Sequence, residues 1–369
     1  MPQPRSRRIT QVDVAKIAGV TQATVSHVVA GERGERPRAS EETRRRVLDA
    51  IAATGYVIDP IAQRLAGGRS GFVGVFTYEP VFPQEGDNFY HAFFVGIEKE
   101  AERVGWNLIL YTGIPAEPDG RKRLVGDGVR QLQLADGCVL LGLHYDASDL
   151  EVLLRNHFPF VFIGRRESPT GVVPYVAADY YNATKEVITE LVEHGHSRIG
   201  YIGDIRAEQI DGDRLKAYRE MANEAGRPAV LIESNETDGA EILRQVQDAG
   251  LTAVITDNTG IAERLRLEAL TAGLAVPGDL SISQLGDPEF SVDDDVEWSG
   301  FRIPREEMGA ESLHVLADIF AGRTDAETVQ RMLPCTVISG ATSGPIDASR
   351  SASDADARAR ASSNRSAHA

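Results

Sequence analysis

The sequence predicts an α/β protein with a small all-α head and a two-lobed body of parallel sheets flanked by helices. Three observations lead there. Residues 10–54 hold three helix patterns with start and stop signals and no strand pattern. From Gly71 onward, short apolar runs alternate with helical stretches, the pattern of parallel sheets covered on both faces. That alternation restarts after Tyr175, so there are two such blocks. A length of 369 residues and an apolar fraction of 42% suit two or three domains with real cores.

The head begins at TQVDVAKIAGVTQATVSHVV, residues 10–29. Thr10 followed by Asp13 is a capping-box signature. Val14 and Ala18 fall one helical turn apart, and Gly19 supplies the positive φ of a helix C-terminus. Val20 is the apolar residue of the turn. Thr21 can cap a second helix whose Val25, Val28 and Val29 share one face. Small Ala15 sits where the two helices must cross closely. Gln22, Ala23, Thr24, Ser26 and His27 are left for the outer face. This is a helix-turn-helix with a polar recognition helix.

The loop at residues 31–39 is long and holds three arginines and a proline. Ser40 caps a third helix, whose Val47, Leu48 and Ile51 are expected to close a three-helix core. Arg44, Arg45 and Arg46 form a solvated basic face. Gly55 ends that helix, with Tyr56 packing beside it. Asp59-Pro60 then opens a short helix that Gly67 closes. A helix this brief is marginal alone and needs a partner to form. Leu65 near its exposed end could wedge into a minor-groove step.

In the body, strands are expected at 72–76, 107–112, 138–141 and 159–163, with helices at 90–104, 120–134 and 148–156. The second block predicts strands at 176–178, 198–203, 229–233, 253–256 and 280–285. Its helices are Tyr180–His194, Arg214–Ala225, 238–249 and 258–272. A last helix at 305–321 and the run PCTVIS return the chain to each lobe. Two such lobes place a ligand between them, at the carboxyl ends of the strands. The organisation is a head at 1–58, a hinge and linker at 59–70, a body at 71–344 and a disordered tail at 345–369.

A net charge of −16 would by itself argue against contact with nucleic acid. The charge is uneven, however. Residues 1–69 carry twelve Lys and Arg against seven Asp and Glu, a balance of +5, which leaves −21 for the rest. A basic head on an acidic body fits a head that meets phosphates. Cys138 and Cys335 lie in apolar runs and are expected as buried thiols of a cytoplasmic protein. No apolar run reaches the ~18 residues of a membrane span, and the N-terminal arginines precede no apolar segment of a secretory signal.

The stretches ITQVDVAKIAGVTQATVSHVVAG and SEETRRRVLDAIAATGYVIDPIAQRLAGGRSGFVGV resemble the lactose-repressor/galactose-repressor (LacI/GalR) family of bacterial transcription factors. The likeness is dense over residues 9–76 and continues more loosely to about residue 344, through DNFYHAFFVGIEKEA, DYYNATKEVITELVEHGHSRIGYIG and GDLSISQLGD. It implies a body with the fold of periplasmic sugar-binding proteins. It also implies a homodimer on palindromic operator DNA, controlled by a small-molecule effector, with a sugar expected. Base reading falls to Gln22, Ala23 and His27, and phosphate contact to Thr21, Thr24 and Ser26. Thr10 joins the DNA-binding set, and Leu65 matches the leucine inserted at the operator centre. In the body, Arg214 matches the arginine that clamps effector hydroxyls, Asp257 a polar residue after a strand, and Phe89 an aromatic of the cleft wall. The chain departs from the family at His27, where arginine is usual, and at Ala30, where asparagine is common. Gly286 stands where a ligand aspartate is usual, with Asp287 next to it.

Other chemistry is poorly supported. His194 and His196 lack partners for a zinc site. Asp293, Asp294 and Asp295 are expected as a solvated loop. There is no phosphate-binding Gly-rich loop and no nucleophile elbow. No catalytic residue, metal or cofactor is expected. The alternative reading is a cytoplasmic sugar-binding or sugar-processing protein with an incidental basic head.

Overall fold

The computed structural model describes residues 9–31, 39–56, 69–79, 89–114, 122–124, 127–143, 145–203, 205, 212–234, 238–287 and 296–346. The expected hinge helix with Leu65, most of the loop at 31–39, the Asp293–Asp295 run and the tail from Asp347 lie outside them.

The head is three helices: α1 Gln11–Ala18, α2 Gln22–Gly31 and α3 Glu41–Thr54. The Asp13 carboxylate accepts from the Thr10 amide at 2.9 Å and its hydroxyl at 2.8 Å, so the start signal works through Asp13 reaching back. Gly19 ends α1 at φ 66, and the Val20 amide turns onto the Ala15 carbonyl at 3.0 Å. The Thr24 and Thr43 amides donate to the Thr21 and Ser40 hydroxyls that cap α2 and α3. Val14, Ala15, Ala18, Val25, Val28, Val29, Val47 and Ala50 form the head core, with Ile51 and Tyr56 against it. Leu48 corrects the expectation: it is exposed, and Ala50 takes its place. The cause is helical period, since residues three and four after Val47 return to its face and the next residue turns about 100° away.

Among the described residues the body holds two six-stranded sheets. The first block runs β1 Phe72–Thr77, α4 His91–Val104, β2 Asn107–Leu110, α5 Asp127–Leu132, β3 Gly137–Leu141, α6 Ala147–Arg155, β4 Phe160–Ile163 and β5 Tyr175–Ala178. The second runs α7 Tyr180–Glu193, β6 Ile199–Gly203, α8 Gly212–Glu224, β7 Val230–Glu233, α9 Gly239–Asp248, β8 Ala253–Thr256, α10 Thr259–Thr271, β9 Ser281–Leu285 and β10 Ser299–Arg302. Then come α11 Arg305–Phe320, α12 Ala326–Val329, β11 Gln330–Leu333 and β12 Thr336–Ile338. The first sheet has the order β11-β5-β4-β3-β1-β2, and the second β12-β10-β9-β8-β6-β7. Every pairing is parallel except β10 with β12.

Two expectations need correction here. The strands β10 and β11 carry no long apolar run and were not expected, and the antiparallel β12 breaks the all-parallel pattern. Among the described residues of the helix expected at 120–134, only the six of α5 are helical, and 122–124, 133 and 134 are not. The lobes also interleave. The chain crosses between them after β5, between β10 and α11, and between β11 and β12, so the return predicted for 305–339 is what joins them.

Alternation along the strands sorts the cores. Val139 and Leu141 face a cluster that also takes in Val187, Tyr201 and Ile255 of the second lobe. Cys138 and Leu140 face the opposite cluster with Leu150 and Leu153 of α6. Ile202, Val254 and Ile282 pack under α9 and α10. Cys138 is fully buried and Cys335 half-buried, both as free thiols, and burial pushes the Cys335 thiol up to about 12.

The crossing of α4 over α11 positions the site. A Cβ on Gly96 would stand 1.9 Å from the Glu306 carbonyl oxygen, and one on Gly309 2.2 Å from that of Phe93. Only glycine at both positions lets the two backbones come so close.

Candidate DNA interface and effector cleft

On α2, Thr21, Gln22, Ala23 and His27 are exposed, and Thr24 and Ser26 half-buried, while Val25, Val28 and Val29 hold the helix to the core. The Thr21 and Thr24 hydroxyls lie 2.9 Å apart. The open amides of the α2 N-terminus and these hydroxyls suit phosphate oxygens. Gln22 can pair bidentately with adenine, the Ala23 methyl can meet a thymine methyl, and His27 can donate to a guanine acceptor. Arg45 and Arg46 form an exposed basic edge on α3.

Two adjoining compartments open at the carboxyl ends of β3 and β4. The first is walled by Phe89, Tyr90, Phe93, Tyr180 and Met308, and Gly142, Gly164, Arg165, Arg166 and Asp213 line it as well. The second is polar and lined by Tyr145, Arg165, Arg166, Glu167, Gly212, Asp213 and Lys216. Strand ends of the first lobe thus face the start of α8 in the second, and Arg165 Nη1 reaches Asp213 across the gap at 3.2 Å.

Of the expected effector residues, Phe89 lines the first compartment. Arg214 is buried behind it, its guanidinium carbon 3.9 Å from the centroid of the Tyr180 ring and 5.9 Å from that of Phe301. Asp213 pairs with Arg165, and Asp211 lies outside the described residues. Asp257 accepts from the Tyr201 hydroxyl at 2.7 Å and lies against Gly203, where a Cβ would meet its carboxylate at 2.2 Å. Asp287 takes the Ile303 amide at 3.2 Å and Arg305 Nε at 3.1 Å, with Arg302 at 3.7 Å. Burial raises its carboxyl above the usual range, against the pull of Arg305. Neither Asp257 nor Asp287 lines the two compartments.

Sequence reasoning missed Tyr90, Arg166 and Arg305. The Tyr90 hydroxyl donates to Glu79 at 2.8 Å, and the other Glu79 oxygen accepts the Leu143 amide at 3.0 Å. Burial and the Glu79 carboxylate push the Tyr90 phenol well up, so it stays a hydrogen-bond donor. Arg166 follows directly on the buried PFVFI run. Two arginines just past a parallel strand were the legible signal, because strand carboxyl ends are where ligands bind. Arg305 left no local signal, since its partners lie far away in sequence.

His196 is structural, bonding Thr252 and the Gly344 carbonyl at 3.0 Å each. Among the described residues no cluster of His, Cys, Asp or Glu could hold a metal ion, and no helix is long and apolar enough to cross a membrane.

Comparison with known proteins agrees with both parts. Residues 10–59 match the model of bacterial regulatory proteins of the lacI family, and residues 188–343 that of a periplasmic binding protein-like domain. Catabolite control protein A of Priestia megaterium is 27% identical over 331 residues, covering 87% of this chain and 96% of the relative. The HTH-type transcriptional regulator CelR of Thermobifida fusca is 28% identical over 333 residues, covering 87% and 94%. Among solved structures, a CelR–cellobiose complex aligns at TM-score 0.59 and 25% identity over 91% of this chain and all of that one. A lac repressor dimer bound to operator and the anti-inducer ONPF shares the fold at TM-score 0.65 and 20% identity, over 92% of this chain and all of that one. The chain thus joins a lacI-family DNA-binding domain to a periplasmic binding protein-like domain, and its relatives along most of its length are regulators of that same build.

Proposed function

We propose that the chain is a sequence-specific transcriptional regulator, acting as a repressor, that binds a palindromic operator as a homodimer and turns nothing over. A carbohydrate held between the lobes sets its affinity for DNA. The observation that carries the reading is α2: its apolar face is spent on the head core, while Gln22, Ala23 and His27 stand free to meet base edges. The cleft supports the effector half. Phe89 and Tyr180 offer ring faces to a sugar, and fixed guanidinium donors suit its hydroxyls. The CelR relative has been solved with cellobiose.

Because the cleft is built from both lobes, a ligand that touches both favours one lobe arrangement. Its effect on DNA affinity equals its differential affinity for the two arrangements, ~1–3 kcal/mol, and DNA changes ligand affinity by the same factor. Footprinting on DNA upstream of the chain's own gene, with and without a sugar panel, tests this. A protected palindrome that a sugar strengthens or weakens is expected. Equal affinity for that DNA and for random duplex would overturn the reading.

A further inference from the structure

Arg166 is a buried cation that forms no ion pair with a carboxylate among the described residues. It is 7% exposed. Its guanidinium lies between two rings, 4.6 Å from the Tyr145 centroid and 4.4 Å from that of Phe162. Nη1 donates to the Arg165 carbonyl and Nη2 to the Gly142 carbonyl, both at 2.7 Å. Nε is buried with no acceptor among the described residues. Its closest charged neighbour in sequence, Arg165, takes the ion pairs instead.

The surrounding charges explain why. Asp213 and Glu167, the two carboxylates of the polar compartment, both bond to Arg165, at 3.2 Å each. The Glu79 carboxylate acts on Arg166 through space and makes no ion pair with it, while its oxygens accept the Tyr90 hydroxyl and the Leu143 amide. Lys216 lines the same compartment from α8, exposed and without an ion pair among the described residues. Among the described residues, the polar compartment therefore presents three cations against two carboxylates, and one cation already holds both carboxylates. Burial pulls the Arg166 guanidinium down from its ordinary value. Two carbonyls and two ring faces offset part of that desolvation, and a buried charge gains most from a true counter-ion.

Glycine makes the placement possible. Gly164 has φ +109, and a Cβ there would sit 3.2 Å from Arg166 Nη1. Any other residue would crowd the guanidinium. Next to this cationic corner lies the aromatic compartment of Phe89, Tyr90 and Tyr180.

Resting on the cleft reading above, we propose that the effector is an anionic carbohydrate: a sugar ring against the aromatic wall, with a phosphate or carboxylate group in the compartment of Arg166 and Lys216. The anion completes the charge balance that the fold leaves open. It also touches both lobes, Arg166 on one and Lys216 on the other, so it favours their closure.

The test is titration calorimetry on the full-length protein with charge-matched pairs. The probes are glucose with glucose 6-phosphate, glucose with gluconate, cellobiose with cellobionate, and inorganic phosphate alone. Binding of one anionic member at least about tenfold tighter than its neutral partner, weakening with added salt, is expected. Arg166→Gln and Lys216→Gln should each erode that preference, and Arg166→Lys should restore part of it. The phosphate and carboxylate arms decide which anion fits. Neutral members binding as tightly as anionic ones would overturn the charge proposal and leave the cleft reading standing. Sugar binding indifferent to both Phe89→Ala and Tyr180→Ala, or no binding by any probe, would overturn the cleft reading as well. Inorganic phosphate binding as tightly as the sugar phosphate would remove the carbohydrate half. Should Arg166→Gln not fold, the wild-type pairs and exposed Lys216 still decide.

Discussion

The guanidinium of Arg305 lies with Nε 3.1 Å from the Asp287 carboxylate. The same side chain donates through Nη1 to the Phe89 carbonyl at 3.1 Å, with its guanidinium carbon 5.0 Å from the centroid of the Phe89 ring. Arg305 opens α11 in the first lobe, Asp287 follows β9 in the second, and Phe89 stands just before α4 at the cleft wall. One arginine thus ties the cleft aromatic to a crossover between the lobes. Both partners of the ion pair are largely buried, with side-chain exposures of 16% and 9%. Asp287→Ala would leave Arg305 buried without that partner. A loss of about 3–5 kcal/mol is expected, read as a lowered denaturation midpoint. Replacing both residues together should cost less than the sum of the two single replacements; a loss equal to that sum would show that the pair is not coupled.

The close crossing of α4 and α11 predicts a second outcome. Gly96→Ala places a methyl where the Glu306 carbonyl already stands. The helices must separate, moving Arg305 from Phe89. We expect destabilisation of about 1–3 kcal/mol or more and weaker effector binding, measured by thermal melting with and without ligand. Gly105→Ala is a useful contrast: its Cβ meets nothing within 4 Å, and any cost would come only from φ 72.

His314 supplies a pH prediction. Its ring meets Glu311 and Glu100 at 2.8 Å each, and the Glu311 hydrogen bond is the largest cause raising its pKa above 6.5. A raised imidazole binds its proton more tightly when folded. Its contribution is therefore fully present below the unfolded value and is lost as pH rises through the folded value. At 46% exposure the effect is screened and stays small. Melting curves of wild type and His314→Gln should converge as pH rises above about 6.5. A gap that widens instead would reverse the sign.

On the head, Gln22→Ala should weaken binding to the specific site by ~1–3 kcal/mol and relax one base position. Binding to random duplex should hardly change, because Gln22 carries no charge. Equal losses on both DNAs, in competition gel shifts, would show that Gln22 does not read a base.

Local rules made most of the architecture legible from sequence. Thr10 with Asp13, Gly19 and Gly55 are start and stop signals that act within one turn, so the head helices were readable. The apolar runs of β1, β3, β4 and β8 are readable for the same reason, since strands covered on both faces must be apolar throughout. The sequence could not announce β10 and β11. SGFR and QRML have no run or alternation strong enough to stand out, and they become strands because β9 and β5 offer them free edges.

The site divides along the same line. Sequence by itself determined the exposed set on α2, because a helix period and a buried valine face leave only one face for Gln22, Ala23 and His27. The family resemblance, not the residue pattern, pointed to Phe89 and Arg214 for the cleft, where Phe89 lines the first compartment and Arg214 lies behind it against Tyr180. Only the tertiary structure decided which charges meet. It gave Asp213 to Arg165 and Asp287 to Arg305, and left Arg166 buried between Tyr145 and Phe162. The physical reason is range. Caps and periodicity act over three or four residues, whereas these pairings join groups up to tens of residues apart and depend on how the three crossovers set one lobe against the other.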